Sequence, residues 1–507
     1  MFEDFILDLE GEVKREVKGD DRQSGAIWFW VSLIFLVAAF VVLGYPLTVF
    51  LIIIGALLIL LFFRYQWLGL YFLIFTSCFL GLVVVVPTGD ITFVTEFFAG
   101  SVDFPLVDGI AILLFAAWLI KSLYLWKIKK FKRWQIYFPG ILFFGLFIGV
   151  AALSVLAAGE LWLQSLKYVI RPIMFFYLMY LVLPYNLIRN RNMLDRSLQV
   201  FYGAGIVSAL IGFVSLFIVP ATGILRRATP IGFWGISPLG ENHNLLAEVL
   251  IAALPIGLVL FHQTKNKWSS LAFILGNLLI FAVALLTFAR TAWIAIFLEI
   301  VLYIILIYRK RLVEISKYVI VFLLLLAPII IYMYVFSTSY IATSSYDARL
   351  MLSEIAVDML KRSPIIGQGA GTYVSYVENT YLFTLEFGDP MDAHGVLQKV
   401  AGEMGLLGLL ALGLIFGYVI VRLARSYNAL PPTSRGKYIV AMMLVMASGC
   451  ITYQLFNTNY YSAKLWIPIA LGLAAASVYK HEERSKKALL EEKEREQMLR
   501  EKEKYGQ

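Results

Sequence analysis

The stretch DPMDAHGVLQKVAGEMGLLGLL, residues 389–410, sets a histidine at the lip of an apolar run. His394 follows Asp392 by two positions and is one of only four histidines in the chain. An imidazole takes a proton near neutral pH, so it can serve as general base where a hydroxyl must be activated. The spacing predicts a helix over 392–410, with Asp392 suited to its cap and His394 in its first turn. Gln398 would lie one turn below on the same face and could orient the ring; Asp392 and Glu403 are further candidates for that task. His243 precedes another apolar run, whereas His262 and His481 read as ordinary solvated residues.

Arginines supply the second half of a possible chemistry. Arg290, in LLTFARTAWIAIF, sits between two apolar runs with almost no loop to carry it. Arg171, in LKYVIRPIMFFY, lies inside an apolar run and is followed by Pro172. A cation at such depth is costly and usually faces a polar cavity or pathway. The plainer alternatives are a snorkelling anchor for Arg290 and, for Arg171, a helix opened by Pro172 that admits water. Arg226, Arg227 and Arg349 lie in two long polar segments. Several guanidinium forks on one face make an anion site, and a base beside an anion site makes group transfer plausible. Cys78 and Cys450 form no CxxC pair or ligand cluster; both read as buried hydrophobes, and no metal site is expected.

The elements that must position these residues are membrane helices. The chain has 507 residues, is 60% hydrophobic and only 15% charged, against about 25% charge for a soluble protein. Apolar stretches recur that are each long enough to cross about 30 Å of hydrocarbon. The expected class is an all-α polytopic membrane protein with about 12–14 transmembrane helices. Spans are placed near 25–45, 47–63, 66–87, 108–125, 135–157, 162–186, 197–219, 244–261, 268–289, 291–308, 316–336, 404–423, 436–456 and 463–479. The resulting domains are a polar segment 1–24, a bundle 25–336 with an outer loop 220–243, a large loop 337–403, terminal spans 404–479 and a charged tail 480–507. No removable signal peptide is visible in residues 1–24, so the first span is expected to serve as the insertion signal.

A net charge of +9 would suit nucleic acid, but the basic residues punctuate the spans as orientation signals do. All but about ten of the 43 basic residues fall on one side of the membrane, which makes that side, with both termini, cytoplasmic. The exceptions face outward: Lys167, Arg171, Arg226, Arg227, Arg290, Arg349, Lys361, Arg362, Lys399 and Lys464. No nucleic-acid partner is expected. The tail should form a solvated helix held by i,i+4 ion pairs.

The loop 337–403 has internal order. SSYDARLMLSEIAVDMLKR opens with helix-start residues and stops at Ser363-Pro364. GQGAG then marks a turn; no Gly-Lys-Ser/Thr follows, so it is not a phosphate-binding P-loop.

Together, DARLMLSEIAVDMLKRSPIIGQGAGTY and DAHGVLQKVAGEMGLLGLL resemble the signature of the O-antigen ligase and O-antigen polymerase superfamily. Arg349, Pro364, Gly367, Gly369, His394, Glu403, Gly405 and Gly408 fill the positions of that signature. TFARTAW is similar to the family's upstream arginine motif, with Arg290 as its cation. SPLGENHNLLAEVL is similar to its Pro-Asn segment, although the element is spread out here. Gly395 stands where an Asn commonly follows the histidine.

The resemblance implies a large membrane glycosyltransferase fold (GT-C-like). It also implies metal-independent transfer of glycan from an undecaprenyl-pyrophosphate donor on the outer face of the cytoplasmic membrane. The site would comprise His394 as base, with Arg290 and Arg349 stabilising the leaving pyrophosphate. Arg226, Arg227 and Arg171 would bind pyrophosphate or anionic sugar, with Gln398, Glu403 and Asp392 in supporting contacts. The carrier's lipid tail would lie among membrane lipids in a groove between helices. The acceptor hydroxyl stays open: a lipid core for a ligase, another lipid-linked repeat for a polymerase, or a protein side chain. Rival readings are a flippase for lipid-linked glycans, a cell-wall glycan polymerase, and a membrane scaffold.

Overall fold

The computed structural model describes residues 46–87, 101–127, 136–220, 226–308 and 340–504, with Lys317 and Ile331. The expected spans 25–45 and 316–336 and the segment 1–24 lie outside the described residues, apart from those two positions. The described residues form a bundle of helices with one short β-ribbon. In order, the helices are α1 Pro46–Arg64, α2 Gln66–Thr76, α3 Leu106–Lys127, α4 Ile141–Ser154, α5 Gly159–Leu187, α6 Arg191–Ile218, α7 His243–Gln263, α8 Lys267–Leu286 and α9 Arg290–Ile307. They continue with α10 Tyr340–Arg362, α11 Tyr373–Glu378, α12 Tyr381–Phe387, α13 Val396–Ala429, α14 Arg435–Leu455 and α15 Ala463–Lys504.

Among the described residues eight helices are long and apolar enough to cross a membrane, or nine if the bent pair α1–α2 counts as one span. This is an all-α polytopic membrane protein. The span expected at 66–87 is corrected. Helix α2 stops at Thr76, where the Thr76 and Ser77 hydroxyls turn back onto the carbonyls of Phe72 and Ile74. The Val-rich run that follows is β-branched and goes extended, pairing antiparallel as Val83–Pro87 (β1) with Ser101–Pro105 (β2). The tail, by contrast, forms a helix as expected, continuous with the preceding span in α15. Lys486 and Lys487 pair with Glu482 and Glu491 at i,i+4 spacing.

Helices α7 and α14 are the most buried of the spans, and α8 and α9 among the least. The buried first half of α15 completes the centre, where Trp466 stacks on Phe176 with ring centroids 4.8 Å apart. Lys464, an outward cation by sequence, is only 2% exposed. Its ammonium donates to the Leu245 carbonyl at 3.0 Å, and the charge of Glu248 of α7 acts on it.

One join fixes the large loop to the membrane. Helix α13 begins at Val396, eight residues before the expected span, and is broken at Gly405 (φ 64°, ψ −161°). The turn at residues 364–369 fills the break. Gln368 and Gly369 N–H donate to the carbonyls of Gly402 and Glu403, while Leu406 and Leu407 N–H donate to those of Pro364 and Ile365. All four bonds are 2.9–3.1 Å. Inside a bilayer each unmet backbone group would cost several kcal/mol, so the turn and the broken helix require one another. Both glycines are obligatory. A Cβ on Gly405 would sit 2.5 Å from the Ile365 oxygen, and one on Gly367, itself at φ +72°, 2.3 Å from the Glu403 carbonyl carbon.

Gly405→Ala is therefore expected to lose at least about 1–3 kcal/mol from backbone strain alone, with the clash added. Gly413→Ala, on the same helix with nothing within 4 Å of its Cβ position, should be neutral or slightly stabilising. Thermal unfolding of the two variants in one detergent checks this. Equal midpoints would show that the join is not a structural constraint.

Candidate active site

The loop chain places His394 immediately before α13. Gly395, extended at φ −162°, is the N-cap residue and makes no side-chain cap bond, so His394 lies just outside the helix rather than in its first turn. Asp392 does not cap α13. Its carboxylate accepts from the Ala393 N–H at 2.9 Å and holds the Lys399 ammonium at 2.5 Å. Lys399 is 3% exposed and also lies over the Tyr168 ring of α5, 5.5 Å from its centroid. This ion pair clamps the turn that bears His394. The imidazole itself is exposed.

Two sequence candidates stand in supporting positions. Gln398 donates to the Ser353 hydroxyl of α10 at 2.7 Å, a bond that joins α13 to the helix carrying Arg349. Glu403 is fully buried and accepts the Tyr373 N–H at 3.2 Å. It braces the loop from below and presents nothing to the open face.

Arg349 lies inside α10, which starts at Tyr340, earlier than the helix-start residues implied, and ends at Arg362 ahead of Pro364 as expected. Arg290 is the first residue of α9 and is exposed there. The preceding turn is tight: Phe288 has φ 53°, and the Thr287 hydroxyl accepts the Ala289 N–H. The segment after Arg227 docks against this turn, since Ala228 N–H donates to the Leu286 carbonyl at 2.8 Å and Thr229 N–H to the Ser215 hydroxyl at 2.9 Å. Arg226 donates to the Leu216 carbonyl. His243 opens α7, with Asn242 as its cap.

Electrostatics tie these pieces into one cluster. The Arg290 charge acts on Arg349; Arg349 acts on both His394 and His243; Arg227 acts on His243. Among the described residues none of Arg227, Arg290 and Arg349 forms an ion pair with a carboxylate, and the Arg349 Nε is buried without a hydrogen-bond partner. The cluster is thus an unneutralised positive site with two imidazoles, suited to a multiply charged anion. Among the described residues no three His, Cys, Asp or Glu side chains gather as metal ligands would.

Desolvation, and then the Arg349 charge, hold His394 below the ordinary imidazole range, while Asp392 pulls the other way. Burial and the Arg290 charge likewise hold Arg349 below its usual value. A lowered imidazole is neutral at pH 7 and free to accept a proton.

Arg171 belongs to a different neighbourhood. It sits in a π-helical stretch, Val169–Met174, widened around Pro172. Its charge acts on Asp108 of α3, which accepts a hydrogen bond from Tyr180. His243 is the reverse case: the sequence marks it as outward, and the fold adds it to the arginine cluster. The signal for it was its place at the mouth of an apolar run, as with His394.

The O-antigen ligase family model matches residues 275–413 of the chain. The matched segment runs from within α8 into α13 and contains Arg290, Arg349 and His394. No curated protein matches the chain.

The neutral imidazole should persist below the ordinary value of about 6.5. Carbethoxylation of His394 by diethyl pyrocarbonate, followed peptide by peptide against pH, should show an acid midpoint below that value. In Arg349→Gln the midpoint should rise, because a repelling charge has been removed. A midpoint that stays put would break the electrostatic link between the two residues.

Proposed function

We propose, from the O-antigen ligase domain carried by residues 275–413, that the protein transfers glycan from an undecaprenyl-pyrophosphate carrier to a hydroxyl acceptor at the outer face of the cytoplasmic membrane. The observation that carries this reading is the convergence of Arg290, Arg349, Arg227 and two histidines, with none of the three arginines ion-paired to a carboxylate among the described residues. In this reading both termini are cytoplasmic and the loop 337–403 faces outward.

The acceptor hydroxyl gives its proton to His394 while its oxygen attacks the anomeric carbon. The bond from that carbon to the pyrophosphate oxygen breaks, and the charge left on the carrier falls to Arg290 and Arg349. Their planar forks suit phosphate oxygens, and charge already oriented towards the leaving group stabilises it as it departs. Arg349 acts twice. It keeps the imidazole neutral before the reaction and favours loss of the proton afterwards. Arg227 and His243 extend the donor side of the site. Arg226 remains an outer contact for anionic sugar or pyrophosphate; Arg171, whose charge acts on Asp108, is left out of the site.

The transporter reading calls for cationic residues deep in the bundle and on both sides of a cavity; the long loop that leads through His394 into α13 favours the enzyme.

His394→Ala should leave a folded membrane protein whose transfer rate falls by about 10²–10⁴, the usual range for general-base assistance. Arg290→Lys should lose activity too, since an ammonium cannot form the bidentate contact. Transfer by purified protein from a defined lipid-linked oligosaccharide, with the product identified by mass spectrometry, tests both. Normal product from His394→Ala would remove the base assignment.

A further inference from the structure

A cavity of about 320 Å³ lies between the central helices α7 and α14 and the peripheral α8 and α9. Its walls are apolar, with Leu258, Ile274, Leu278 and Ile300 among them, and three side chains with polar groups, Asn277, Glu299 and Tyr303, join the lining. Glu299 is 4% exposed, and its Oε1 has no hydrogen-bond partner; neither does Oδ1 of Asn277. Among the described residues no ion pair reaches Glu299. It stands nine residues along α9 from Arg290, about 13 Å deeper at about 1.5 Å per residue.

A carboxyl at that depth is costly and in membrane proteins marks function by default. The fold makes room for it. A Cβ on Gly449 of α14 would fall 2.1 Å from its Oε1. The volume is at the lower end of the range for ligand pockets, which are mostly apolar with a few placed polar groups. Ile274 and Leu278 are exposed on the lipid-facing side of α8, so entry is from the bilayer. No cation lines the cavity, which excludes a phosphate headgroup as its occupant.

We infer that this cavity is a second ligand site, within the membrane, for a neutral lipid-soluble molecule that hydrogen-bonds to Glu299 and Asn277, a long-chain alcohol being the simplest example. The site is independent of the glycan chemistry above, and its test does not use transfer activity.

Dicyclohexylcarbodiimide is an apolar probe for it. The Glu299 carboxyl oxygen adds to the central carbon of the reagent and the carboxyl proton passes to a nitrogen. The acyl group then migrates to nitrogen, so the adduct retains the whole reagent. Peptide mapping of the full-length protein in vesicles should find this adduct at Glu299, several-fold reduced by 1-decanol and unchanged by decyl phosphate. Glu299→Gln should lose it; if that variant does not fold, mapping of the wild-type protein still decides. Absence of the adduct, or no protection by decanol, overturns the site. Equal protection by decyl phosphate overturns the neutral class of ligand.

Discussion

The structure depends on one constraint: a backbone group inside a bilayer must find its partner within the protein. Helix α13 breaks at Gly405, and the four groups freed or offered there are met by the turn at 364–369. From that join the rest follows. The turn ends α10, which carries Arg349. The first turns of α13 carry Lys399, which holds Asp392 and so the loop end bearing His394. A membrane helix with an intact backbone would have had no donors or acceptors to spare for the loop.

Charge is arranged with the same economy of partners. The buried Lys399 is ion-paired with Asp392, and the buried Lys464 donates to the Leu245 carbonyl. Among the described residues the clustered Arg227, Arg290 and Arg349 have no carboxylate partner. Unpaired guanidinium groups beside one another are unfavourable unless an anion neutralises them, so the cluster holds free energy that a suitable ligand releases on binding. The contrast between matched and unmatched cations separates scaffold from site more clearly than depth does. By depth alone Arg171 would have ranked beside Arg290, yet its charge acts on Asp108.

Membrane helices were legible because length and apolar content suffice to call for them, and the loop helix ended at Ser363-Pro364 as its residues implied. Four features were not legible. The strand after α2 was hidden because a run of valines looks apolar whichever conformation it takes. Glu403 and Gln398 were read as lining the site because helical spacing gives a face but not what the face meets; the loop came to occupy that face. His243 could be seen as a candidate but not placed, since nothing local says that α7 opens beside α10. Glu299 passed unnoticed inside an apolar run, although a lone carboxylate in a span is itself a signal.

The peripheral position of α9 has a consequence for supply. Arg290 stands at the end of a helix that is among the least buried of the spans, so the lipid-linked donor proposed above would reach it sideways without leaving the leaflet. Encounter is then a search in two dimensions. Its rate is set by the number of such molecules per unit area and by how fast they drift through the membrane, and not by any concentration in the surrounding water.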